Sequence, residues 1–167
     1  MQGLDQVAAN KFMLLDYGIH LFDFLCCIVD ERRPRRVATV VPKERMLDGG
    51  EVPGLASTIT DFGDSQAVVS MNANARGFFG HHTQIVADQG VTSTIRDTPG
   101  SQSVAVRTAT GTHAPQVDGA WVPEGFIGSM IELLAPIEED REPKHSARNN
   151  LATLELTLQA MAAASTT

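Results

Sequence analysis

Between Arg36 and Thr108 the chain is a succession of short β-rich runs cut by turn residues, and this pattern limits the fold more than any other feature. The runs are Arg36 to Val41, Leu55 to Phe62, Ala67 to Asn74, Thr83 to Ala87, Val91 to Arg96 and Ser101 to Thr108. Gly63-Asp64-Ser65 and Asp88-Gln89-Gly90 read as hairpin turns, and Thr98-Pro99-Gly100 as a breaker. In the second run Leu55, Ser57, Ile59 and Asp61 alternate with Ala56, Thr58, Thr60 and Phe62. Many strands joined by short turns predict a mainly antiparallel sheet, one face of which must be covered.

Helical patterns flank this block. Lys11 to Val29 carries an apolar stripe of Leu15, Ile19, Phe22, Cys26 and Val29, widened by Leu14, Leu21 and Leu25. Arg32-Arg33-Pro34 ends it, because proline cannot continue the hydrogen-bond ladder. Phe126 to Glu138 is a second helix, with Phe126, Met130, Leu133, Leu134 and Ile137 as its apolar set and Pro136 weakening its last turn. Ser146 is an N-cap candidate for a final helix whose core face would be Leu151, Leu154, Leu158 and Met161, with Ala160 and Ala162 to Ala164 suited to close packing. There is no internal repeat and no long linker. The expected fold is α+β: one domain over 1–167, an open, mainly antiparallel sheet with helices covering one face.

A chain of 167 residues can bury about 70% of its unfolded surface and needs no disulfide or metal to fold. With 13 basic and 20 acidic residues its formal charge is −7, which argues against nucleic acid as a partner. No apolar run approaches the roughly 20 residues of a bilayer span, so no membrane partner is expected. Met1 to Asn10 lacks the basic start and apolar core of a secretory signal. The only cysteines, Cys26 and Cys27, are neighbours and lack the spacing of a redox or metal motif. These features lead to the expectation of a cytoplasmic protein.

The sequence has no GxGxxG turn, no P-loop, no HExxH and no GxSxG elbow. What remains is the first helix, where Asp16, His20 and Asp23 interrupt an apolar segment. Asp16 and His20 are one α-helical turn apart, and His20 and Asp23 are three residues apart. A carboxylate beside an imidazole favours its charged form and fixes its tautomer, an arrangement suited to exchanging a proton with a substrate hydroxyl. The bland alternative stays open: a satisfied structural histidine, with Asp16 as a helix cap, which spacing alone favours. A metal site at Asp16, His20 and Asp23 ranks third. Gly18, costly mid-helix, makes sense where something approaches the backbone closely. His81 and His82 would point to opposite faces of a strand, so a shared metal is not expected. Glu138-Glu139-Asp140 reads as a solvated turn, and Trp121 as a core anchor or a pocket wall.

Leu14-Leu15-Asp16-Tyr17-Gly18-Ile19-His20-Leu21-Phe22-Asp23 resembles the LLDxGxHxxD helix of the Gfo/Idh/MocA oxidoreductases, the glucose–fructose oxidoreductase and inositol dehydrogenase family. Asp118 to Phe126 resembles the family's GxWxPxGF loop, and Glu139 to Pro143 with Ser146 to Leu151 its EGREPxxSxxNxL stretch. The three lie in the family's order and cover nearly the whole chain. Members carry a Rossmann domain for NAD or NADP followed by a substrate-binding, dimerising sheet domain. This chain resembles the second alone. Val41-Pro42-Lys43 does not replace the first domain's Glu-Lys-Pro motif.

The resemblance implies that His20 is the proton acceptor or donor, that Asp16 orients substrate beside it, and that Asp23 is structural. It assigns no catalytic role to Tyr17, Trp121 or Arg148, and leaves open that they face substrate. The expected function is the substrate-binding and dimerisation half of an NAD(P)-dependent oxidoreductase acting on a sugar, polyol or related hydroxy compound. That half would be inactive alone and bind no cofactor by itself. Its expected partners are a Rossmann domain and a second copy, because Leu55, Ala67, Val69 and Ile85 cannot all face the helices. The alternative is a non-enzymatic sheet dimer that binds a sugar-like ligand or a partner protein.

Overall fold

The computed structural model describes residues 13–30, 32–42, 54–75, 80–98, 101–119 and 121–164; the side chains of 97, 98 and 121 are outside the description. The chain divides into two compact units, residues 1–74 with 146–167, and residues 75–145.

The first unit holds β1 (Arg36–Val40), β2 (Leu55–Asp61) and β3 (Gln66–Asn72) in the order β1-β2-β3, all antiparallel. A π-helical turn (Met13–Gly18) leads into α1 (Ile19–Val29). Helix α3 (Leu151–Ala164) returns to pack on β1 and α1. The alternation in β2 decides which face is covered. Ala56, Thr58 and Thr60 are buried, while Ser57 and Ile59 are exposed. Register puts Thr39 and Val69 beside Thr58, and Met71 beside Ala56, on the same inner face. Met13, Leu14, Phe22, Leu25, Leu156 and Ala160 close over it.

This inner face carries hydroxyls as well as hydrocarbon. Thr39 and Thr58 share a hydrogen bond at 3.1 Å, and Thr157 Oγ1 donates to its own helix at Thr153 O, 2.8 Å away. Both threonine pairs thus lose little by burial. On the outer face Val40, Ile59 and Val68 are exposed, and Leu55 lies among them opposite Asn72. Ala67 and Val69 instead pack against the core.

The second unit holds β4 (His81–Ala87), β5 (Gly90–Thr98), β6 (Ser101–Thr108) and β7 (Gly111–His113) as an antiparallel sheet in sequence order. Helix α2 (Phe126–Glu139) continues directly from a kinked turn, Trp121–Gly125. The α+β class and the antiparallel pairing are as expected. The strands, however, form two sheets: β3 pairs with β2 and β4 with β5. The three-residue β7 is too short to leave a periodic signal.

Several local expectations are corrected. Leu15 does not join the core stripe; it is 43% exposed, because the π turn shifts the buried positions to Met13, Leu14 and Gly18. Most of the apolar stripe of the final helix also faces outward, with Leu151, Leu154 and Leu158 exposed, while Met161 packs against the core. Its buried face is Thr153, Leu156, Thr157, Ala160 and Ala164, where small side chains let the helix approach β1. In α2 the apolar set Phe126, Met130, Leu133, Leu134 and Ile137 is exposed rather than buried. Pro136 lies in the last turn of that helix, as expected. It removes one N–H, yet its carbonyl accepts from both Asp140 and Arg141, and Asp140, in the left-handed region at φ 50°, closes the end. Ser146 Oγ accepts from Asn149 N at 3.2 Å, capping a turn just ahead of α3.

Candidate functional site

Gly18 sets how the first helix sits. It is buried with an ordinary helical φ of −64°, so its value is room rather than backbone freedom. A Cβ there would lie 3.3 Å from Met13 O and from the Phe22 ring, and 3.4 Å from the Met71 methyl of β3. The close approach expected at this glycine is therefore made by Met71. Pressing that side into the sheet turns the opposite side out. Tyr17, His20, Phe24 and Ile28, spaced three and four apart, are all exposed.

His20 thus sits on an exposed stripe with an aromatic residue one turn to either side, Tyr17 at 47% and Phe24 at 46% exposure. Asp16 is exposed too. It belongs to the π-helical turn, whose hydrogen bonds skip an extra residue, so it and His20 are not related by one regular α-turn. No hydrogen bond or ion pair joins the two among the described residues. Asp23 faces away from this stripe. It is half-buried and accepts a hydrogen bond from Thr153 Oγ1 at 2.8 Å, tying α1 to α3. The structural role implied for Asp23 has its physical basis here. An accessible imidazole with no fixed partner can exchange a proton with a hydroxyl brought to it; Asp23 is already committed.

Beside Asp23, burial pushes the Cys26 thiol above its ordinary range against an opposing hydrogen bond to Thr153, and burial likewise raises Cys27. Both are free and poorly activated as nucleophiles.

The other candidates lie in the second unit. His81 opposes Arg96 across β4 and β5, and Arg96 Nη2 stands 3.2 Å from each ring nitrogen. Burial first, and then the Arg96 charge, hold the imidazole below its ordinary pKa. Among the described residues no three His, Cys, Asp or Glu are gathered to hold a metal ion. The Gly77-Phe78-Phe79 part of the loop before His81 and the Trp121 side chain lie outside the described residues.

Glu138 and Glu139 are the last turn of α2 rather than a solvated turn beyond it. Arg141 grips Glu132 with two nitrogens at 2.7 and 3.1 Å and reaches Glu139 at 2.5 Å. Lys144 N also donates to Glu132 at 2.8 Å. This clamp holds the Glu132 carboxyl down to about 2, chiefly through the Arg141 hydrogen bonds and then the Lys144 N–H. Sequence reasoning missed both Glu132 and Thr153. Their partners lie 9 and 130 residues away, beyond any helical spacing rule.

A dinucleotide's pyrophosphate is held by a glycine-rich turn between a strand and a helix of a parallel βαβ unit. Every strand pair described here is antiparallel. The described residues do not fit that group.

No protein-family model matches the chain, and no curated protein does. Solved structures do match in fold. An aldose–aldose oxidoreductase from Caulobacter crescentus superposes with a TM-score of 0.70 at 14% identity, over 89% of this chain and 44% of its own. A protein from Thermotoga maritima, provisionally assigned as an oxidoreductase, gives 0.72 at 17% identity over 89% and 43%. A protein from Sinorhizobium meliloti, provisionally assigned as a myo-inositol dehydrogenase, gives 0.56 at 18% identity over 90% and 47%. The fold is that of one part of these oxidoreductases, in keeping with the family resemblance. The chain spans less than half the length of each of the three. No helix of the described residues is long and apolar enough to cross a membrane.

Proposed function

We propose that this chain is the substrate-side and assembly half of an NAD(P)-dependent oxidoreductase acting on a sugar, a polyol or a related hydroxy compound. The observation that carries the reading is His20, an accessible imidazole on an outward stripe of Tyr17, Phe24 and Ile28. Such a stripe suits a surface that a second module closes, since large apolar side chains gain by leaving water. His20 would take or return the proton of the reacting hydroxyl, and Asp16, at the near end of the stripe, would orient a neighbouring hydroxyl. The nicotinamide chemistry belongs to a cofactor module outside this chain's described residues. The fold likeness to an aldose–aldose oxidoreductase supports the substrate class.

The test has two arms on the 167-residue chain. Titration with polyols and aldoses, followed by NMR, is expected to give saturable shifts at His20 and Tyr17 that His20→Ala removes. Nicotinamide reduction by the chain alone is expected to be nil. Turnover without a cofactor module, or ligand shifts that leave the first helix unmoved, would overturn the proposal.

A second reading is favoured by the outer face of the first sheet, where Val40, Ile59 and Val68 are exposed side by side. On this reading the chain is a non-enzymatic dimer, paired through that face, that binds a sugar-like ligand or a protein. Ligand binding unchanged by His20→Ala would favour it. A monomer by light scattering at micromolar concentration would count against dimerisation in either reading.

A further inference from the structure

We infer that the arginine-lined cleft at the hairpin between β2 and β3 binds the phosphate group of a small molecule. Arg32, Arg33, Arg35 and Arg36 place four of the chain's 13 basic residues within five positions, in a chain of net charge −7. Like charges so close repel, and exposed ion pairs contribute little to stability, so folding alone gives no reason to gather them.

Three of them border one open cleft of about 430 Å³, together with Phe62, Gly63 and Asp64. Each is held by a separate restraint. Arg32 Nη1 donates to Asp64 at 2.7 Å and to Ser65 Oγ at 3.1 Å. Arg33 Nη1 donates to Glu155 of α3 at 2.5 Å. Arg35 is fixed by its backbone, whose N–H donates to Asp61 O at 2.8 Å. Its guanidinium lies over Gly63, where a Cβ would come within 2.4 Å of Cζ. Gly63 has φ +99°, so both the turn and the guanidinium above it call for glycine.

The donor count then leaves a surplus. A guanidinium has five N–H donors in a planar fork. Arg32 and Arg33 spend one nitrogen each on a carboxylate, and the Arg35 side chain makes no ion pair among the described residues. Asp64 is the only carboxylate among the lining residues. Forked donors held around an open, net positive recess match a compact tetrahedral oxyanion, which takes two or three charge-assisted hydrogen bonds. The source is free phosphate or a phosphorylated small molecule; the chemistry recognised is the same.

The experiment is calorimetric titration of the 167-residue chain near neutral pH with inorganic phosphate and with glycerol phosphate, ionic strength being held constant with sodium chloride. Saturable binding of at least one is expected, and the tighter of the two assigns the source. Arg35→Gln is expected to weaken it about tenfold, the loss of one charge-assisted hydrogen bond. Arg35→Lys, which keeps charge without the fork, is expected to fall between, and Arg107→Gln, at an exposed position of β6, to bind as the parent does. Circular dichroism establishes that each variant is folded. Absence of saturable heat with both ligands, or equal affinity in the Arg35→Gln variant, would overturn the inference.

Discussion

Thr153 Oγ1 donates to an Asp23 carboxylate oxygen at 2.8 Å, joining two helices across 130 residues of chain. It is a link from α3 to the helix that carries His20. Because Asp23 is half-buried, the carboxylate cannot recover full hydration when the donor is lost. Thr153→Val should therefore destabilise the fold by about 1–3 kcal/mol in urea denaturation. The double variant Thr153→Val with Asp23→Asn should recover part of that loss. Full additivity of the two single losses would show that the pair is not coupled.

The outward leucines of α3 give a direct test of its orientation. Leu156 is 2% exposed, whereas Leu154 and Leu158 are 41% and 51% exposed. Leu156→Ala should cost about 2–5 kcal/mol. The same change at Leu154 or Leu158 should stay within about 0.5–1 kcal/mol in the isolated chain. The reverse ranking would restore the stripe of Leu151, Leu154, Leu158 and Met161 as the core face.

Gly18 separates room from propensity. Gly18→Ala gains up to about 1 kcal/mol of helix propensity, but meets Met13 O and Phe22 at 3.3 Å. The two effects should nearly cancel. Gly18→Val adds branches that Phe22 and Met71 cannot accommodate, and should destabilise by about 1–3 kcal/mol in the same denaturation assay.

The Glu132 clamp predicts acid sensitivity with a definite sign. Its folded pKa of about 2 lies below the ordinary 4.5, so its contribution is complete above the ordinary value. It is lost progressively as the pH falls through 4.5 toward 2. Glu132→Gln should flatten the fall of melting temperature with pH in that window. Identical acid limbs for the two proteins would remove the clamp from the account.

Most of this architecture was legible in local pattern. Among the described residues, six of the seven strands, both hairpin turns and all three α-helices follow from period-two alternation, apolar spacing of three and four, turn residues and proline placement. Those signals act between neighbours in the chain, and the backbone answers them locally. His20 was legible as a polar interruption of an apolar helix, and the structure leaves it accessible on an outward stripe.

What the chain by itself determined, then, is the order of elements, their antiparallel pairing and the helix that presents His20. Only the tertiary structure decided which side of each helix faces inward. Hydrophobicity alone would have buried Leu154 and Leu158, but close packing on β1 favours the smaller Thr157, Ala160 and Ala164. Burial depends on how near two surfaces can come as much as on how apolar each is. The same holds for Asp23 and Glu132. Their partners are distant in sequence, and only folding brings a donor within 3 Å.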